Sequence, residues 1–123
     1  MKTMKKRTLV VGATDNPTRY AYRAVTMLNA HGHPIELVGT RTGNVAGREI
    51  LHGEPDLQDI DTITLYVGTR NQPPLYDYLL KLKPKRIIFN PGTENPELEQ
   101  MAQQQGIETV QGCTLVMLSI GQY

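Results

Sequence analysis

The stretch from Val10 to Arg23, VVGATDNPTRYAYR, begins as a buried strand, breaks at Gly12 and restarts near Asn16-Pro17 as a helix. A strand-to-helix junction this tight decides the fold class if it recurs, and it does. Short β-branched or apolar runs stand at Thr8–Val11, Ile35–Val38, Thr62–Val67, Arg86–Phe89 and Ile107–Val110, each of strand length. Between the first two, Thr18 to His31 carries Ala21, Val25 and Leu28 at helical spacing, with Gly32 placed to stop the helix. Pro73-Pro74 opens a second helical segment with Leu75, Leu79 and Leu82 as its apolar stripe, ended before Pro84. Asn95-Pro96 reads as N-cap and first turn of a third, with Leu98, Met101 and Ala102 inward and Gly106 at its end. Thr42 to Asp61, with Gly43, Gly47, Gly53 and Pro55, lacks a helical pattern and is expected to be a loop crossover with at most one helical turn. Leu115 to Ile120 is expected to pack as a C-terminal helix or extended segment.

Continuous apolar strands alternating with helices imply a parallel sheet covered on both faces. The expectation is an open α/β fold of about five strands in the dinucleotide-binding order 3-2-1-4-5. Its ligand crevice would lie outside the carboxyl ends of the strands, between the first and fourth. Residues 1–123 are expected to form one domain, because a chain of 123 residues can bury a real core but is small for separate cofactor and substrate domains.

Composition narrows the function classes. Hydrophobic residues make up 39% and charged residues 20%, with 13 Lys+Arg against 12 Asp+Glu, which argues against a nucleic-acid or membrane-surface binder. The apolar run after the basic start is cut at Gly12, too early for a signal peptide, and no stretch is long enough to cross a bilayer. A single cysteine, Cys113, excludes an internal disulfide and a cysteine-rich zinc site, so a cytoplasmic location is expected.

Gly12 lets the backbone turn sharply and approach a ligand, while the free amides at the start of the next helix favour an anion. The stretch therefore reads as a phosphate loop, against the alternative that Gly12 merely ends a strand. Neither G-x-G-x-x-G nor the P-loop ending is present. After the second strand, where an NAD-binding fold carries an acid, stands Gly39-Thr40-Arg41-Thr42; an arginine there suits a phosphate on the ribose and disfavours NAD. Arg19, Arg41 and Arg70 all fall toward the carboxyl edge of the sheet. Lys5, Lys6, Arg7, Lys83, Lys85 and Arg86 precede strands and are expected to form a solvated basic rim at the opposite edge. Asp15 opposes a phosphate beside it and is placed to pair with Arg19 one helical turn on.

TLVVGATDNPTRYAYRAVTMLNAHGHPIELVGT, followed by VAGREIL, IDTITLYV, RIIFNPG and GIETVQGCTLVML, resembles the small stand-alone coenzyme A-binding domain proteins, from about Thr8 to about Leu118. Their fold is similar to the N-terminal domain of succinyl-CoA synthetase α chains. The most specific parts are Val11-Gly12-Ala13-Thr14 with Asn16-Pro17 and Tyr20, the Gly47-Arg48 pair, and a cysteine after the fifth strand. The resemblance implies a Rossmann-like domain that receives the nucleotide and diphosphate of CoA. Two segments depart from the family pattern: Val38-Gly39-Thr40 stands where Val-Asn-Pro is usual, and Phe89-Asn90-Pro91 where an aromatic-x-glutamine segment is usual.

The candidate ligand contacts are Gly12, Ala13, Thr14, Asn16, Pro17, Arg19 and Tyr20 after the first strand and Gly39, Thr40 and Arg41 after the second. Val67 and Arg70 follow the third, and Asn90, Pro91 and Gly92 the fourth. CoA, with its diphosphate and 3′-phosphate, satisfies the arginine pattern, and NADP does so too. No catalytic residue and no metal site is expected. His31 and His33 fall at the edge opposite the crevice, His31 as an electrostatic helix cap; His52 reads as loop surface, and the three have no metal-ligand spacing. Cys113 reads as a buried structural thiol. The phosphohistidine domain of succinyl-CoA synthetase has no counterpart here, so a ligand-binding or regulatory module is expected, with an NADP-class oxidoreductase domain and a scaffold without ligand as rivals. The expected partner is a small nucleotide, with no nucleic acid or membrane. Homo-oligomer formation and a protein partner are left open.

Overall fold

The computed structural model describes residues 5–123. The elements are β1 (Thr8–Val11), α1 (Tyr20–Ala30), β2 (Ile35–Val38), β3 (Asn44–Val45), β4 (Arg48–Leu51), β5 (Thr62–Leu65), α2 (Tyr76–Lys81), β6 (Arg86–Phe89), α3 (Pro96–Gln104), β7 (Glu108–Gln111) and α4 (Thr114–Ser119), with 3-10 turns at Thr69–Asn71 and Pro73–Leu75 before α2. The seven strands form one sheet in the order β3-β4-β2-β1-β5-β6-β7. Every neighbouring pair is parallel except β3–β4.

The α/β architecture is as expected, but strand count and order are corrected by the crossover. Thr42 to Asp61 is not a loop: Val45-Ala46-Gly47-Arg48 closes a hairpin with φ of 53° at Ala46 and 79° at Gly47, the left-handed pair that a two-residue hairpin turn with the sheet's own twist requires. β4 then pairs in parallel with β2 through Leu37↔Ile50 and Val38↔Leu51. It fills the place expected for Thr62–Val67, and β5 moves to the other side of β1. Counting β4, the six parallel strands do run in the dinucleotide-binding order, and the switch point lies between β1 and β5.

Alternation along β1 divides the core. Val10 faces Val25 and Leu28 of α1 and Leu118 of α4, whereas Leu9 and Val11 face Leu79 of α2 and Leu98 and Ala102 of α3. Gly32, at φ +80°, ends the turn after α1, and the Asn95 side chain caps α3 by accepting from Leu98 N–H at 3.2 Å. The proline pair at 73–74 forms a 3-10 turn, so α2 proper starts only at Tyr76.

The edge formed by the amino ends of the strands is more built than a solvated rim. Glu36, with 12% of its side chain exposed, is bridged by Arg7 and by Arg48, the latter at 2.6 Å; this stitches the chain before β1 to β2 and β4. Arg86 is buried, donates from Nε to Thr62 Oγ1 at 3.0 Å, and lies 4.4 Å from the centre of the Tyr123 ring. Here the pair Gly47-Arg48 has its structural account, in the hairpin turn and the Glu36 bridge.

Candidate functional site

Where β1 ends, Gly12 and Ala13 both donate to the Val38 carbonyl, at 2.9 and 3.0 Å, and Gly12 has φ +90°. A Cβ on Gly12 would stand 2.9 Å from the carbonyl carbon and oxygen of Tyr66 and 3.1 Å from Val67 Cγ2. Glycine is thus required by the chain leaving β5 before any ligand is considered. Gly39 has the same role from the other side, since a Cβ there would lie 2.4 Å from the Ala13 carbonyl oxygen.

The loop to α1 is shaped by short side chains. Thr14 Oγ1 accepts from Asn16 N–H at 3.1 Å, and Asn16 Oδ1 accepts from Thr18 N–H at 3.0 Å and the Thr18 hydroxyl at 2.7 Å. These turns delay α1 to Tyr20. Arg19 at the N-cap is extended, makes no side-chain cap, and no acid lies in the first turn, so the first amides of the helix keep their partial positive charge uncompensated by side chains. Asp15 is off the helix. Its carboxylate packs against Gly43, with Oδ2 2.8 Å from where a Cβ would be, and among the described residues it forms no ion pair with Arg19.

A cleft of about 760 Å³ opens at the carboxyl ends of the strands. Gly12, Ala13, Thr14, Arg19 and Tyr20 line one side; Thr40 and Arg41 close one end; Val67, Pro91 and Gly92 form the far wall. The remaining expected residues do not line it. Asn16 and Pro17 are exposed on the loop before α1, Gly39 is half-buried against the Ala13 carbonyl, and Arg70 is exposed on the 3-10 turn. Asn90 stands at the expected edge but points inward: fully buried, it donates to Thr64 Oγ1 at 2.7 Å and the Leu65 carbonyl at 2.8 Å, and accepts from Thr114 N–H at 2.9 Å. With its amide satisfied, it joins β5, β6 and the start of α4.

Six lining residues were not anticipated: Ala21, Tyr66, Gly68, Asn71, Leu75 and Thr93. The available signal was the segment after the third strand, from which charge alone had singled out Arg70, although the 3-10 turns present Asn71 and Leu75 instead. Arg19 and Arg41 are the charged residues of the lining, no acid accompanies them, and neither forms an ion pair among the described residues. Tyr20 is 67% exposed at the mouth. Burial pushes the Tyr66 phenol up to about 12, so it stays protonated.

His33 lies at the opposite edge, buried, with Nδ1 accepting from Lys6 N–H at 3.0 Å. Burial, then the charges of Lys5 and Lys6, hold its pKa below the ordinary value. His52 is exposed after β4, and Cys113 is half-buried at the N-cap of α4; neither lines the cleft. Among the described residues no three His, Cys, Asp or Glu side chains cluster to hold a metal ion, and no helix is long and apolar enough to cross a membrane.

Residues 6–119 match the family model described as CoA binding domain. The chain belongs to the CoA binding domain family. This CoA binding domain is similar to a protein solved as "Crystal structure of uncharacterized protein", with 50% identity, TM-score 0.96, and coverage of 98% of this chain and 100% of the other. A Thermus thermophilus structure, cell-free ID.343, is 20% identical with TM-score 0.85, over 97% of this chain and 91% of that one. Aspartate semialdehyde dehydrogenase II of Vibrio cholerae is 13% identical with TM-score 0.59, over 95% of this chain and 45% of that one; at such identities the likeness is one of fold alone. No curated protein matches this chain.

Proposed function

We propose that the cleft binds coenzyme A or a closely related phosphorylated nucleotide, and that the protein is a binding or regulatory module of one domain. The observation that carries this is the pair Arg19 and Arg41, which form no ion pair among the described residues and are the charged groups of a cleft whose lining holds no acid. Membership of the CoA binding domain family supports the choice of ligand. The diphosphate would sit over Gly12–Thr14 and the uncapped start of α1, where backbone amides and the helix dipole favour negative charge. Arg41 would meet the phosphate on the ribose, and Tyr20, Thr14 and Thr40 would complete the near side. The cleft volume of about 760 Å³ is within the range of cofactor sites.

Binding without catalysis is supported by the lining, which carries no His, Cys, Asp, Glu or Lys side chain. Burial raises the Tyr66 phenol to about 12, so it is no base near neutrality. Native mass spectrometry of gently purified protein should show a mass increment matching CoA. Calorimetry with CoA, dephospho-CoA and NADP then separates the readings. Tighter binding of NADP would favour the oxidoreductase-type domain, and no binding of any of the three would favour a scaffold.

A further inference from the structure

The ladder between β5 and β6 ends at Leu65↔Phe89. Past that pair the far wall of the cleft consists of two irregular segments, Val67-Gly68 and Pro91–Thr93, with no strand pairing to set their separation. One side chain spans them. Gln72, wholly buried between the two 3-10 turns, donates from Nε2 to the Val67 carbonyl at 2.9 Å and to the Thr93 carbonyl at 2.8 Å. Its Oε1 accepts from Asn95 Nδ2 at 2.8 Å.

Asn95 in turn caps α3 through Oδ1 and gives its second Nδ2 hydrogen to the Tyr76 hydroxyl at 2.8 Å. Both N–H groups and the oxygen of Gln72 are therefore used, and its orientation is set by the elements on either side. A buried amide is costly unless satisfied, and an apolar side chain of similar size would fill the volume equally well. What the amide adds is a fixed link between two backbone segments. Thr69 Oγ1 joins the same loops a second time, donating to the Glu94 carbonyl at 2.6 Å.

We infer that Gln72, oriented by Asn95, is a positioning residue for the ligand: it sets the far wall of the cleft by holding the loops after β5 and β6 at one separation, without itself lining the cleft. The inference rests on the proposed reading of the cleft as the CoA site.

The test uses the full chain with Gln72→Met and Asn95→Asp. The second variant keeps an oxygen to cap α3 and loses the donors to Gln72 and Tyr76. Ile107→Ala, buried at the opposite edge of the sheet, serves as a destabilised control. Hydrogen exchange should quicken together at Gly68, Asn71, Gly92 and Thr93 in both Gln72→Met and Asn95→Asp, while Gly12 and Ala13, bonded to Val38, stay as in the parent. CoA affinity by calorimetry should fall about tenfold in each, the equivalent of one hydrogen bond's positioning, and stay within about twofold in the control.

Unchanged exchange in the two loops, or an affinity loss no larger than in the control, overturns the inference. Should Gln72→Met melt below the assay temperature, Asn95→Asp alone decides by the same two readings. If the parent binds no CoA, the proposed function fails, while the exchange pattern still decides whether Gln72 couples the loops.

Discussion

Replacing Gly12 with alanine should destabilise the fold by about 1.5–4.5 kcal/mol, whether or not a ligand binds. Two effects combine. At φ +90° a residue with a Cβ is strained by about 1–3 kcal/mol. The new methyl would also stand 2.9 Å from the carbonyl carbon and oxygen of Tyr66, atoms that cannot swing aside freely because Tyr66 N–H donates to the Val11 carbonyl at 2.8 Å. Relief of the clash weakens that bond, a further loss of about 0.5–1.5 kcal/mol. For a chain of this length the sum corresponds to a fall in melting temperature of roughly 6–18 °C. The comparison is Gly68→Ala: Gly68 also lines the cleft, but its φ is −57° and its Cβ direction meets nothing within 4 Å, so its stability should stay within about 0.5 kcal/mol of the parent or rise slightly. Calorimetric melts of the three proteins make the measurement. If Gly12→Ala melts within about 2 °C of the parent, the backbone approach of β5 is not what demands glycine there, and the argument fails.

Arg41→Ala should weaken CoA by about tenfold or more and dephospho-CoA much less, because a charge-assisted bond is lost only where the ribose phosphate exists; equal losses in calorimetry would show that Arg41 does not read that phosphate. Asn90→Leu should lower stability by about 2–4 kcal/mol by removing three buried hydrogen bonds, and a parent-like melt with CoA binding abolished would instead make Asn90 a ligand contact. His33 is held below its ordinary value of 6.5, first by burial and then by Lys5 and Lys6. The unfolded chain therefore takes up the proton more readily, and the contribution of neutral His33 is complete above pH 6.5 and is lost as pH falls through the folded-state value. Urea unfolding at about pH 8 and about pH 5 should show a larger acid loss in the parent than in His33→Leu; equal losses would remove His33 as the cause.

Much of this molecule was legible in the chain because its signals are local. The five apolar runs are strands, Gly32 ends the turn after α1, and Asn95 caps α3, each set by a period, a backbone conformation or a side-chain oxygen within a few residues. The β3–β4 hairpin was missed because its turn is Ala46-Gly47, without the asparagine or aspartate that usually advertises a left-handed pair, and because β3 is only two residues long. Strand order went with it, since the partner of β2 is chosen by pairing across the sheet. In the cleft, position along the chain was informative and direction was not: Asn90 and Pro91 are neighbours, one turned inward to α4 and the other exposed on the lining.

From the amino acids alone come the α/β class, the edge at which a ligand site would form, and the presence of arginines there in place of an acid, because strand ends and charge are properties of short segments. Only the tertiary structure decided that Gly12 and Gly39 answer to the protein's own backbone and that Arg86 is buried beneath Tyr123. It also decided that Asp15 turns away from Arg19 and that Gln72 bridges two loops. Each of these depends on which distant segments meet, and that is set by the packing of the whole sheet and its helices.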